Sequence, residues 1–450
     1  MVAGVQAQAL EPEVRRVGAE LAAAFPSPAR HPLRALDEKA MEVSARDEAL
    51  RAALFRFVDV VPACRSLDDL ARHLTGYLDE LPERPPPLQG AMRMAHTRAG
   101  RAALGAAAAA GVKHMAHRFI VGETPQAVTG ELRALWQHGV AMSVDLLGEA
   151  TVTAAEADRY AQRCHEALDV LANAGRGWPV NPTLERDSSG TLPRANVSVK
   201  VSALTPLLRA DAPERGQRDA APRLRALLRH ADELGAHLHI DMESLDSRDA
   251  VLDLVLATLA DPELAGGPSA GIVLQAYLRD SPDQLERVLG WARATPRESP
   301  LVVRLVKGAY WDHELIEARQ HGWPAPVFED KHECDRNFEA LTRTLLDARP
   351  QVRAAIASHN LRSVAHAVAY NRLTGAPDTD VEYQVLRGLG DDLQDALAAR
   401  GLRVRTYCPV GDLVAGMAYL VRRLLENTGN ESFLHEQSRG APLEELLAAP

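Results

Sequence analysis

From about residue 117 onward, short apolar or β-branched runs alternate with helical stretches, and this alternation constrains the fold more than any other feature of the chain. The runs are Ala141 to Gly148, Val197 to Leu204, Leu238 to Glu243, Ile272 to Leu278, Val302 to Tyr310, Ala354 to Asn360, Val381 to Leu386 and Val404 to Val410. Strands separated by crossover helices pair in parallel. The helices carry their own start signals: Thr153 and Glu156 form a capping box ahead of the apolar stripe Tyr160, Cys164, Leu168 and Leu171. An open doubly wound sheet alternates in the same way, but it usually brings a Gly-rich dinucleotide fingerprint after its first strand, and none follows Ala141 to Gly148. The pattern therefore predicts an α/β fold built as a closed (β/α)8 TIM-type barrel.

The segment before the barrel reads as helices, including Glu48 to Val61, Leu67 to Leu81 and the Ala-rich stretch Arg101 to Gly111, interrupted by Pro85, Pro86 and Pro87. We divide the chain into a helical arm or small α-domain over residues 1–116, the barrel over 117–434 and a C-terminal tail over 435–450. The net charge of -10, with no concentrated basic stretch, argues against nucleic acid as a partner. Four cysteines far apart, without C-x-x-C spacing, suggest neither a zinc cage nor a disulfide framework, and no metal site is expected. The chain shows no membrane-span-length apolar run and no leader pattern, so a cytoplasmic location is expected.

In such a barrel the working residues sit at the C-terminal ends of the strands. Those ends are polar here: Lys200 in the second run, Asp241 and Glu243 in the third, Gln275 in the fourth, Arg304 and Lys307 in the fifth, Ser358, His359 and Asn360 in the sixth, and Tyr407 in the eighth. Lysine is rare in this chain, yet two of its five lysines, Lys200 and Lys307, fall in strand runs. Any one of these groups alone is an ordinary structural residue; together they point to a site, because buried charges need partners and perturbed groups gather where chemistry occurs. After the eighth run, Val414, Met417, Val421, Leu424 and Leu425 form one helix face and Tyr419, Arg422, Arg423 and Glu426 the opposite one. Periodicity alone makes that second face solvated surface; it becomes an anion clamp if the helix lies across the barrel mouth.

The run Tyr419-Leu-Val-Arg-Arg-Leu-Leu-Glu426-Asn427 resembles the signature of proline dehydrogenases, including that domain of bacterial bifunctional proline-catabolic enzymes. Arg304-Leu-Val-Lys-Gly-Ala-Tyr-Trp311, Asn196 to Leu204, Ile240 to Glu243, Gln275-Ala-Tyr277, Ser358-His-Asn360 and Tyr407-Cys-Pro-Val-Gly411 match in the same order. The resemblance implies FAD-dependent oxidation of L-proline to Δ1-pyrroline-5-carboxylate by hydride transfer from proline C5 to flavin N5, with electrons passed to a quinone met by peripheral contact with the inner membrane. It also implies that the last barrel helix sits over the mouth.

By the same carry-over, Lys200, Arg422 and Arg423 hold the proline carboxylate, Glu426 pairs with an arginine, and Leu386, Tyr407 and Tyr419 shape the ring pocket. Gln275, Arg304, Val306, Lys307, Gly308, Ala309, Trp311, Ser358, His359 and Asn360 bind FAD. Asp241 and Arg304 are the catalytic positions, the first orienting the basic groups and the second near flavin N5. Ser358 stands where the family often has threonine, and Leu389 where it often has methionine. The ending Ala441 to Pro450 resembles the segment leading into the aldehyde dehydrogenase half of bifunctional members, so a partner domain or partner enzyme of that kind is expected. The rival readings are a Schiff-base lyase or aldolase using Lys200 and a non-catalytic interaction protein with a degenerate barrel.

Overall fold

A computed structural model describes residues 7–26, 47–82, 89–90, 92–93, 95–148, 151–264, 266–412, 416, 419, 421, 423 and 441–450. Eight parallel strands close a barrel: β1 (Val140–Leu146), β2 (Asn196–Val199), β3 (His237–Ile240), β4 (Ser269–Gln275), β5 (Leu301–Val306), β6 (Val352–Ala357), β7 (Val381–Leu386) and β8 (Val404–Val410). Each pairs with its neighbour in sequence, and β1 closes onto β8 in a register that runs from Val140 beside Val404 to Leu146 beside Val410. Each expected run overlaps one of these strands, and six of the strands begin one to three residues before their run. The second is shorter than its run, because the chain leaves the sheet at Lys200 and turns helically over Val201–Leu204. The capping box at Thr153 and Glu156 is present and starts the helix Ala154–Arg176.

Strand residues alternate between two kinds of burial. One set, such as Val140, Met142, Val144 and Leu146 on β1, packs into the apolar core beneath the outer helices. The other set faces the barrel axis and includes many polar residues. Ser143 donates to Asn196 Oδ1 at 2.7 Å and lies 3.0 Å from Ser198. Arg405 forks onto both oxygens of Glu382 at 2.8 and 2.9 Å, and Gln384 donates to Glu382 as well. Nearer the N-terminal ends of the strands, Arg353 grips Asp187 at 2.8 and 3.2 Å. Asp187 comes from a small antiparallel ladder, Arg186–Asp187 with Gly190–Thr191. A polar interior of this kind is tolerable only because its charges are paired, since an unpaired buried charge is costly. His237 and His239 sit 3.2 Å apart in the same space. They fit because residue 271 is glycine: a Cβ there would lie 2.3 Å from the His239 ring.

The segment before the barrel divides in its packing. Helix α1 (Ala7–Ala23) lays Val14, Val17 and Leu21 into the barrel's own core and runs against helix α2 (Leu361–Leu373). Arg362 of α2 fixes this arrangement. It is 6% exposed and bonds both oxygens of Glu11 at 3.0 and 2.9 Å, Glu339 at 2.8 Å and the Leu447 carbonyl at 2.8 Å. The helices over Glu48–Val60, Leu67–Asp79 and Arg98–Phe119 form separate apolar clusters. One of these reaches the barrel mouth through Phe119, Ile120 and Leu147. The last of these helices is twice the length of the Ala-rich stretch expected at Arg101 to Gly111 and is N-capped by Thr97. No helix among the described residues is long and apolar enough to cross a membrane.

Removing one partner of a buried ion pair costs about 3–5 kcal/mol. Arg362→Ala is therefore expected to destabilise the protein by that order, read as a lowered midpoint in denaturant melts; a loss below about 1 kcal/mol would mean that Arg362 does not fasten α1 and the C-terminal segment to the barrel.

Candidate active site

At the C-terminal ends of the strands lies a cavity of about 300 Å³, within the size range of small-ligand sites. Of the residues expected in the site, Lys200, Asp241, Gln275, Arg304, Val306, Lys307, Gly308, Ala309, Ser358, His359, Leu386, Tyr407, Tyr419 and Arg423 line it. Trp311 and Asn360 do not appear in that lining. The Trp311 indole donates to the Phe328 carbonyl at 2.8 Å and is partly exposed, while the Asn360 side chain caps α2 by accepting from the Ser363 N–H at 3.0 Å. Arg422 and Glu426 fall outside the described residues.

The geometry centres on the carboxylate of Asp241, which follows β3. Arg304 on β5 donates from Nη1 to Oδ1 at 2.7 Å, and the Tyr407 hydroxyl on β8 donates to Oδ2 at 2.6 Å. The Arg304 guanidinium also lies over the Tyr407 ring, 5.4 Å from its centroid. Lys200 Nζ is 3.9 Å from the same Oδ2 but only 2.6 Å from Oδ1 of Asp145 on β1. Burial works against the Lys200 charge, yet the carboxylates of Asp145 and Asp241 outweigh it and hold the ammonium pKa above the usual lysine range. Lys200 is therefore a fixed positive charge at neutral pH. The Tyr407 hydroxyl is pushed well up by burial and by the nearby carboxylates, so it stays protonated and donates. Asp145 was not among the expected site residues; its signal in the sequence is one carboxylate within a β1 run that is apolar apart from Ser143.

Elsewhere around the cavity, Lys307 pairs with Asp335, and Gln275 donates to the Glu243 carbonyl at 2.9 Å. His359 accepts the Leu386 N–H through Nε2 at 2.9 Å, which requires that nitrogen to be unprotonated. Burial, with the Arg423 and Lys307 charges adding to it, pushes the His359 pKa down to about 3. Gly308 has φ of +139°, and a Cβ there would strike the Tyr277 ring at 2.2 Å. Bare backbone is therefore obligatory at this point of the wall. Arg423 is 6% exposed, with its guanidinium 4.9 Å from the Tyr419 ring centroid one helical turn away. The face that periodicity assigns to solvent thus turns toward the cavity at both of its described positions.

Two polar atoms lining this cavity, Gln275 Oε1 and Arg304 Nε, are buried without a hydrogen-bond partner among the described residues. Buried polar atoms are nearly always satisfied in a working protein. An acceptor and a donor left open beside a glycine backbone suit a flat, polar-edged ring system.

The buried histidines also set a pH dependence. His237 is held down to about 3, by burial first and then by the Arg405 charge. Its folded pKa lies below the unfolded value near 6.5, so the unfolded state binds more protons between those pH values. The stability it contributes is present above about pH 6.5 and is lost as pH falls toward 3. Each such imidazole adds a slope of about 1.4 kcal/mol per pH unit in that window. His237→Gln should remove one proton's worth of slope from denaturant melts between pH 6.5 and 5, and an unchanged slope would mean that His237 is not neutral in the folded protein.

The proline dehydrogenase family model matches residues 128–436, and the model for the N-terminal domain of proline utilization A matches residues 11–119. The bifunctional protein PutA of Salmonella typhimurium is 33% identical over 347 residues, covering 75% of this chain and 25% of that protein. The proline dehydrogenase of Deinococcus radiodurans is 28% identical over 322 residues, covering 71% of this chain and 89% of its own length. The crystal structure of PutA from Bdellovibrio bacteriovorus inactivated by N-propargylglycine superimposes with a TM-score of 0.89 at 35% identity, covering 98% of this chain and 44% of that one. The chain thus spans only part of the length of these bifunctional relatives.

Proposed function

From the premise that the chain belongs to the proline dehydrogenase family, we propose that its barrel mouth oxidises L-proline to Δ1-pyrroline-5-carboxylate. The family is one of flavoenzymes, and we assign FAD as the flavin. The observation that carries the reading is the convergence of two fixed cations, Lys200 and Arg423, with the Tyr407 and Tyr419 rings around one cavity. A carboxylate held between an ammonium and a guanidinium fork, with a small aliphatic ring against tyrosine and Leu386, is the chemistry that such a lining selects.

In this reading Lys200, Arg422 and Arg423 bind the proline carboxylate and Glu426 pairs with one of the arginines. Leu386, Tyr407 and Tyr419 enclose the ring. Gln275, Arg304, Val306, Lys307, Gly308, Ala309, Trp311, Ser358, His359 and Asn360 hold FAD; the open Gln275 Oε1 and Arg304 Nε and the bare Gly308 backbone suit it. When bound, the flavin supplies the two-electron acceptor for the hydride that leaves proline C5. Asp241 keeps Arg304 and the Tyr407 hydroxyl oriented, so the groups around the reacting carbon are fixed before substrate arrives. The ring ammonium first releases one proton to solvent, the hydride then leaves C5, and loss of the remaining nitrogen proton to solvent gives the imine product. Electrons then pass to a quinone at a membrane surface, and the product is taken up by an aldehyde dehydrogenase domain or partner.

Purified protein is expected to be yellow, to release FAD on denaturation, and to lose its flavin absorbance on anaerobic addition of proline. A colourless protein, or a flavin that proline leaves oxidised, overturns the reading. Arg423→Ala removes one partner of a desolvated charge pair, a loss of about 2–5 kcal/mol. Its kcat/KM for proline should fall by more than about tenfold with flavin content near wild type, whereas near-normal kinetics would return Arg423 to a structural role.

Tyr407 bounds the ring pocket with a hydroxyl already committed to Asp241. Tyr407→Ser should shift the ratio of kcat/KM from proline toward hydroxyproline. A ratio that stays where it was would show that Tyr407 does not gate the ring.

A further inference from the structure

We propose that Asp145 is a positioning residue that holds Lys200 toward the substrate carboxylate and away from Asp241. The inference deepens the proposed function and rests on it. Asp145 is 1% exposed, on a strand whose other residues are apolar apart from Ser143. Its Oδ1 takes Lys200 Nζ at 2.6 Å.

The alternative seat for that ammonium is Asp241 Oδ2, 3.9 Å away, and this is the same oxygen that receives the Tyr407 hydroxyl at 2.6 Å. An ammonium competes well against a neutral hydroxyl for a carboxylate oxygen, because charge-assisted bonds are the stronger ones. Without the Asp145 charge, Asp241 becomes the nearest carboxylate to the Lys200 ammonium among the described residues. Moving there would withdraw the cation from the substrate's carboxylate and loosen Tyr407 from its anchor. Asp145 thus acts on substrate only through Lys200, and its effect belongs on substrate binding more than on the rate of the bound complex.

The test is a double-mutant cycle on the flavin-loaded enzyme, with wild-type turnover of proline established first so that failure of the reaction itself is recognised separately. Asp145→Asn keeps the shape and an acceptor but removes the charge. It should raise KM for proline by about tenfold or more and change kcat by a smaller factor. In a Lys200→Met background the same substitution should alter kcat/KM by less than about twofold, since the residue it acts through is gone.

Multiplying effects in the double variant, or a fall in kcat at unchanged KM, overturns the proposal. Should Asp145→Asn fail to fold with its lysine left unpaired, the double variant removes both charges together, which is the tolerated change. Its kcat/KM is then compared with Lys200→Met alone: equality supports the proposal, and a deficit beyond about fivefold overturns it.

Discussion

The carboxylate of Asp241 accepts from Arg304 on β5 and Tyr407 on β8 while Lys200, just past β2, stands 3.9 Å off, so groups from three strands are referred to one acid. Each of those groups is buried or nearly so; the two cations need an anionic partner against desolvation, and the Tyr407 hydroxyl needs an acceptor. Asp145 completes the arrangement by supplying the second acid, which gives Lys200 a seat of its own. The cavity therefore presents cations whose places are set before any ligand arrives. That is the condition under which electrostatic stabilisation costs no reorganisation.

The same requirement extends down the barrel. A TIM barrel is ordinarily filled with branched apolar side chains, whereas this one carries Arg353, Glu382 and Arg405 along its axis, in ion pairs closed by Asp187 from outside the strands. Above that layer, Ser198 accepts a long contact from Arg304 at 3.4 Å, which ties the interior network to the mouth. The space for the histidine pair depends on Gly271. The interior is thus a column of polar contacts whose upper end is the Asp241 cluster, and a shift in the column would be felt at the cavity.

The strands were legible because parallel strands buried on both faces read as apolar runs with abrupt polar ends, and the ends at Asp241, Gln275 and Ser358 do line the cavity. The pairings were not. Arg353 meets Asp187 across 166 positions of sequence, and no periodicity relates two such residues. The role of Asp145 is not legible because a lone acid inside a strand has no repeat to mark it. The resemblance places Asn360 among the flavin contacts, and in the fold its amide oxygen accepts from the Ser363 N–H at the start of α2. A residue that follows a strand and opens a helix can serve either role, and sequence does not separate them.

The direction of the last barrel helix shows most clearly where pattern stops and packing begins. An amphipathic stripe states which residues share a face; it does not state which face turns inward. The choice is made by the segment before the barrel. Ile120, at the end of the helix Arg98–Phe119, and Leu147, just past β1, crowd Gly416, where a Cβ would come within 2.4 Å of the Ile120 side chain. Tyr419 and Val421 pack against the same apolar cluster. Gly416 is pressed against Ile120 and Leu147, and Arg423 sits in the cavity wall instead of in water. The helices preceding the barrel, which contribute none of the cavity-lining residues, therefore help determine which side of the last helix the cavity meets.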